Sequence, residues 1–411
     1  MSKNSYFGAK KRTGYKGRGN NNNQNRSRGG SNKSARGKQY INPARFVNKA
    51  TTPTETVVEQ VDAKFADFGF NHQINENLNE IGFDTPSPIQ AHCIPIVMTG
   101  RDVLGLANTG TGKTAAFLLP TINAIFRDRK PFSVLIMAPT RELAQQIDEE
   151  FKNFSRGMKL FSAVCVGGVN IDRQIRELNR RPHVVIGTPG RLKDLLERKK
   201  LSLGNVTTFI LDEADRMLDM GFVNDIEKIA SQITSDHQTL CFSATINDRV
   251  QKLLSDYMKY DYKTISVVQA ETNNHIEQDI LHAGNKEQKM ELLKELLAQP
   301  EFQKVLIFHE TKYGAQRLSD HLTKNNLPSV AIHGNKSQSQ RQKALNQFKA
   351  ENVKVMVATD VAARGLDIDD VTHVINFEQP RTYEDYVHRI GRTGRAGKYG
   401  KALTFVDKKP V

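Results

Sequence analysis

No run of apolar residues in this chain is long enough to cross a bilayer, which excludes a helical membrane span. Its N-terminus is polar and basic with no apolar core, which excludes a secretory signal. Cysteine is scarce. Cys93, Cys165 and Cys241 stand far apart and form no CxxC, and Cys165 and Cys241 fall in apolar strand-like runs, so buried free thiols are expected. These absences together suggest a reducing cytoplasm. Acid is missing from the N-terminal stretch: residues 1–50 hold 13 Lys/Arg and no Asp or Glu. The other 361 residues carry 46 basic against 45 acidic side chains, so nearly all of the net charge of +14 belongs to the tail.

Residues 1–60 are rich in Asn, Gly, Ser, Lys and Arg, and little there can build a core, so a disordered basic tail is expected. Arg-Gly steps with scattered aromatics (Tyr6, Tyr15, Tyr40, Phe46) suit phosphate attraction and base stacking. A merely solubilising tail stays open. Ile41-Asn42-Pro43-Ala44-Arg45-Phe46-Val47 is less polar and reads as a docking segment with no identified surface.

The remaining length holds two domains of ordinary size. Its organising stretch is Ala107-Asn108-Thr109-Gly110-Thr111-Gly112-Lys113-Thr114, between the apolar run Val103–Leu106 and a helix-like Ala115–Leu119. A strand, a Gly-rich turn and a helix N-terminus make an anion site, because backbone N–H groups and the helix dipole both favour phosphate. Lys113 is expected at the β- and γ-phosphates and the Thr114 hydroxyl on Mg²⁺. The strict pattern has Gly at position 107, where this chain has Ala. A second apolar run, 206–211, ends in Asp212-Glu213-Ala214-Asp215, with Asp212 expected at magnesium and Glu213 at the attacking water.

Ahead of these, Ile74, Leu78 and Ile81 fit one buried helix face. Gly82 to Gln90 reads as an extended turn, whose Gln90 amide suits adenine's donor–acceptor edge. Downstream, strand patterns at 133–138, 160–166, 183–187 and 240–242 alternate with helices, which predicts an α/β, doubly wound parallel sheet. The polar motifs all follow strand ends, where such sheets bind ligands. A linker at 267–275 leads to a second alternating set, with strands near 304–308, 329–332, 354–358, 372–376 and 402–406. This half has no phosphate loop, but its arginines recur at Arg389, Arg392 and Arg395, and an ATPase can borrow such a clamp from a neighbouring domain.

Taken together, these motifs resemble the DEAD-box ATP-dependent RNA helicases of helicase superfamily two, in the family's order from about Phe65 to Val406. The resemblance implies two RecA-like domains in tandem, at 61–266 and 276–411, behind the tail. It implies Phe65 packing on adenine, Gln90 hydrogen-bonding it, Asp367 at the ribose, and Arg392 and Arg395 as arginine fingers. Asp215, Ser243, Thr245 and His388 would couple the domains, and RNA would run over Pro139, Arg141, Gly168, Thr188, Arg191, Gln338, Arg341 and Thr359. Two features depart from the family. Ile307-Phe308-His309-Glu310-Thr311 carries an unusual His-Glu, and the sequence ends at Val411 without the closing helix many relatives carry, which would leave the second domain less stable or completed by a partner.

The expected function is RNA-stimulated ATP hydrolysis with Mg²⁺, coupled to local strand separation, in a cytoplasmic monomer of low sequence selectivity. An ATP-gated RNA clamp with little unwinding uses the same residues and stays open. A DNA translocase is disfavoured by the adenine-reading motif and the Asp-Glu-Ala-Asp word.

Overall fold

The computed structural model describes residues 41–47, 63–108, 110–267, 276–363, 368, 370–394 and 399–407. The tail to residue 40, the linker core at 268–275, and the site candidates Thr109, Asp367 and Arg395 lie outside the described residues.

Short runs dominated by Val, Ile, Leu and Met form the central strands. They are β1 (Val103–Leu106), β2 (Val134–Met137), β3 (Ser162–Cys165), β4 (Val184–Gly187), β5 (Thr208–Leu211), β6 (Gln238–Ser243) and β7 (Lys263–Ser266), in one sheet ordered β3-β4-β2-β5-β6-β1-β7. A second sheet, ordered β10-β11-β9-β12-β13-β8, is made of β8 (Ile276–Ala283), β9 (Val305–Phe308), β10 (Ser329–Ile332), β11 (Val355–Ala358), β12 (His373–Asn376) and β13 (Gly400–Asp407). Neighbouring strands pair in parallel in both sheets, and helices cover both faces. That coverage is why β1, β2, β4, β5 and β9 read as unbroken apolar runs: every side chain on them is buried.

Two strands were not expected, and both are edges. β7 is largely exposed and carries Lys and Ser, so its residues lack an apolar signal. β8 borders the second sheet and is buried only in part. Expected strands also differ in length: 160–166 shrinks to Ser162–Cys165 at the first sheet's edge, while 240–242 lengthens to Gln238–Ser243 inside it and 402–406 to Gly400–Asp407 in the second sheet.

Hydrophobic cores lie on either side of each sheet. Ile74 and Leu78 join the first, but Ile81 caps its helix and stays 40 % exposed, a correction to the expected face. All three cysteines are free and buried, and burial pushes the Cys93 and Cys165 thiols up to about 12. A separate small cluster joins Ile41 and Phe46 to Ile276, Tyr386, Ile390, Ala402 and Val406, so the surface that Ile41–Val47 docks on is the lobe of the second sheet. Among the described residues, no helix is long and apolar enough to cross a membrane.

Candidate active site

β1 ends at Leu106, and after Ala107 the chain turns through two left-handed glycines, Gly110 (φ 84°) and Gly112 (φ 88°), into the helix Lys113–Asp128. A Cβ on Gly112 would overlap the Gln90 amide and displace it, and the positive φ there favours glycine in any case. Lys113 is buried and donates to the Ala107 carbonyl at 2.9 Å, folding its ammonium back over the loop. Ala107 is itself fully buried, and its N–H donates to the Ser243 carbonyl at 3.1 Å.

The extended turn before this loop is stitched to it. Ser87 Oγ donates to the Thr111 carbonyl at 2.7 Å, and the Gln90 amide donates to the Gly112 carbonyl at 3.0 Å. The Gln90 amide oxygen accepts the Ser87 N–H at 2.8 Å. Gln90 does border the nucleotide-sized cavity, but these two bonds make it a strut between the loops. Phe65 is buried against Phe68 and Phe83, and Phe83 and Phe154 border the cavity.

That cavity has a volume of about 390 Å³. Lys113, Thr114, Asp212, Glu213 and Arg392 border one part of it, and Phe83, Leu143 and Phe154 another. Asp212 stands at the end of β5, completely buried, and burial pushes its carboxyl up to about 7 against the pull of Lys113. Glu213 occupies a left-handed conformation (φ 51°) between β5 and the helix Ala214–Asp219, a strained turn of the kind that clusters at functional sites. Burial alone would raise the Glu213 carboxyl, but Arg216, Lys113 and Arg392 together hold it below its ordinary value. The Glu213–Arg216 ion pair went unread in the sequence, where its signal was a three-residue spacing on a helix start.

Two carboxylates and a hydroxyl at a phosphate loop form no closed cage. Among the described residues, no group of three or more His, Cys, Asp or Glu could hold a metal by itself. This donor set fits Mg²⁺, which takes one or two carboxylates and keeps water and phosphate as its other ligands.

The coupling residues of the first lobe come together. Asp215 Oδ2 accepts from the Ala244 N–H (3.2 Å), the Thr245 N–H (2.9 Å) and Thr245 Oγ1 (2.9 Å), and Ser243 Oγ donates to the Thr245 carbonyl at 2.8 Å. The turn after β5 is thereby tied to the turn after β6. His388 is exposed on the helix Tyr383–Ile390.

The arginine series divides by role. Arg389 is buried in a two-pronged pair with Asp360, with its Nη2 2.8 Å from Oδ2, and also donates to Asn376 and the Glu378 carbonyl. Arg392 belongs to the second lobe yet borders the cavity of the first.

Pro139, Arg141, Gly168, Thr188 and Arg191 gather at the ends of β2, β3 and β4, which are neighbours in the sheet. Arg141 lies directly over Gly168, where a Cβ would overlap its guanidinium, and Arg191 donates to the Val169 carbonyl at 3.2 Å. In the second lobe, Thr359 directly follows β11, and Gln338 and Arg341 lie in the first turn of the helix Gln338–Lys349. Both of the latter reach the first lobe: Arg341 lies 2.9 Å from Glu142, and the Gln338 amide donates to Gln145 at 3.1 Å. Glu142, a buried acid one position into its helix, was missed in the sequence because an acid in a first turn has an ordinary reading.

Residues 87–253 match the family model described as DEAD/DEAH box helicase, and residues 288–397 match that described as Helicase conserved C-terminal domain. RNA helicase CrhR of Synechocystis sp. is 43 % identical over 344 residues, which cover 84 % of this chain and 70 % of that protein. ATP-dependent RNA helicase DeaD of Buchnera aphidicola is 42 % identical over 346 residues, 84 % of this chain and 57 % of that protein. The chain therefore spans between about half and three quarters of these relatives' length. The structure of S. cerevisiae Dbp5 bound to RNA and ADP BeF3 aligns with a TM-score of 0.74 at 30 % identity, covering 84 % of this chain and 90 % of that one.

Proposed function

The chain belongs to the DEAD-box family of ATP-dependent RNA helicases, and from that membership we propose that it hydrolyses ATP when RNA is bound and uses the cycle to separate short RNA duplexes. The observation that carries this reading is one cavity with walls from two lobes, where Arg392 of the second lobe faces Lys113, Asp212 and Glu213 of the first. The phosphate loop (Ala107 to Thr114) binds the phosphates, with backbone N–H groups and Lys113 supplying positive charge. Thr114 and Asp212 would hold Mg²⁺, which supplies charge neutralisation on the phosphate oxygens. Glu213, kept ionised by its basic neighbours, orients the attacking water. Arg392, with Arg395 after it in the sequence, stabilises charge that develops on the transferred phosphoryl group.

RNA backbone contacts are assigned to Pro139, Arg141, Gly168, Thr188, Arg191 and Thr359, and contacts of this kind carry little sequence information. Gln338 and Arg341 join the lobes through Glu142 and border the same path. The lobes are assigned to 61–266 and 276–411, and the protein to the cytoplasm as a monomer.

The test is ATP hydrolysis with and without single-stranded RNA, beside unwinding of a short duplex. RNA-stimulated hydrolysis that falls about 10³-fold or more in Arg392→Ala is expected. RNA-independent hydrolysis would overturn the coupling, and stimulated hydrolysis without strand separation would mark a clamp.

A further inference from the structure

The turn Pro43–Phe46 stands near the start of the chain, yet it docks on the lobe built from the other end. It holds its own shape. The Asn42 side chain accepts the Ala44 N–H at 3.0 Å, Pro43 takes the first helical position, and the Arg45 N–H donates to the Asn42 carbonyl at 3.0 Å. Proline suits that position because its fixed φ is already helical. Phe46 is fully buried, its ring 4.7 Å from that of Tyr386. Arg45 stays exposed and lays its guanidinium 3.7 Å from the centre of the Tyr383 ring.

Both tyrosines belong to the helix Tyr383–Ile390. Its inner side is pinned by Tyr386, whose hydroxyl donates to the buried Gln278 amide at 2.9 Å, and by the Arg389–Asp360 pair. Its outer aromatic surface is covered by the docked turn. Directly beyond the helix, the Arg392 N–H donates to the Arg389 carbonyl at 3.2 Å, and the Arg392 side chain enters the nucleotide cavity. Phe46, Tyr386 and Ile390 thus share one apolar cluster, and Arg392 follows Ile390 by two residues at the end of the same helix.

We propose that residues 41–47 are a strap that positions Arg392: by clamping the helix Tyr383–Ile390 from outside, they set where the guanidinium stands in the cavity. This rests on reading Arg392 as the group that faces the transferred phosphoryl. Phe46 and Arg45 touch no substrate and act only through the helix, as positioning residues. Without the strap, the helix keeps its inner anchors but loses its outer cover, so the guanidinium wanders while the phosphate loop is untouched.

The kinetics use the full chain. Steady-state ATP hydrolysis at saturating RNA is measured for wild type, Phe46→Ala, Phe46→Leu, Arg45→Ala and Arg392→Ala. A misplaced catalytic group costs about 10- to 100-fold, so kcat should fall by that factor in Phe46→Ala. The ATP KM should stay within about twofold, since the lost interaction acts on the transition state. Phe46→Leu should recover most of the rate. Amide hydrogen exchange of residues 383–390 should quicken on deleting residues 1–47 and not on deleting residues 1–40. Wild-type kcat in Phe46→Ala, or helix exchange equal in the two deletions, overturns the strap. If Phe46→Ala fails to fold, Arg45→Ala decides: a fall in kcat at unchanged KM supports the proposal, and an unchanged kcat overturns it. An undiminished rate in Arg392→Ala overturns the reading of the site itself, and the strap's role with it.

Discussion

Glu142 and Arg341 meet across the two lobes at 2.9 Å, with both side chains almost wholly buried. Gln338 completes the contact from the same helix, with its amide nitrogen 3.4 Å from the Glu142 carboxylate. Residues that the family resemblance assigns to RNA are here engaged in joining the lobes.

That pairing sets the first prediction. Arg341→Ala leaves a buried carboxylate without its partner, and breaking a buried pair in this way costs about 3–5 kcal/mol. The cost falls on the arrangement in which the lobes touch. Fluorescent labels on the two lobes should therefore approach less often in Arg341→Ala than in wild type when an ATP analogue and RNA are added. Equal energy transfer in the two proteins would mean that the pair contributes nothing to closure.

Glu213→Gln should keep ATP and RNA binding and lose turnover by about 10²–10⁴-fold, the range for removing a positioned base. Glutamine keeps the shape but lacks the charge that Arg216, Lys113 and Arg392 hold in place. Equilibrium binding beside single-turnover hydrolysis separates the two effects, and a variant that turns over normally would remove Glu213 from the chemistry.

Asp212 predicts a pH dependence with a definite sign. Its carboxyl titrates at about 7, raised by burial, so the folded chain binds this proton more tightly than the unfolded chain does. The stability that follows is fully present below the unfolded pKa of about 3.9 and is lost as pH rises through the folded value. Cation binding runs the other way, since it needs the carboxylate. The apparent affinity for magnesium nucleotide should rise about tenfold per unit up to the folded pKa and then level off. Titration calorimetry across that range checks this, and Asp212→Asn should abolish the inflection.

Deleting residues 1–40 removes eleven positive charges from the chain. Phosphate attraction is independent of sequence, so RNA affinity should fall alike for all single strands, and each lost contact should reduce the salt slope of log K by roughly 0.7. Identical slopes for the full and shortened chains would make the tail a solubility or partner-binding element.

Much of the first lobe was legible before folding, for a physical reason. Strands buried on both faces are largely apolar, so β1, β2, β4 and β5 announced themselves, and the polar words at their ends had to lie along one rim of the sheet. The phosphate loop is equally local: Gly110 and Gly112 are needed where φ is positive, and Lys113 follows at the helix start. Edge strands gave no such signal, because β7 buries little and so needs no apolar side chains.

What the sequence by itself determined is thus the α/β class, the order of the motifs and the chemistry of each residue, since these depend on near neighbours and on burial pattern. Tertiary structure alone decided which of them meet. Phe83 and Phe154, 71 residues apart, border one cavity while Phe65 packs behind Phe83. Gln90 spends its amide on Ser87 and Gly112, a choice that depends on how closely two loops approach. Arg389 and Arg392 look alike three residues apart, yet one turn of chain sends the first to Asp360 and the second into the cavity. Glu142 with Arg341, and Phe46 with Tyr386, are about 200 and 340 residues apart, and no local pattern encodes such a pair. Only the packing of one lobe on the other, and of the N-terminal turn on the second, brings their charges and rings into contact.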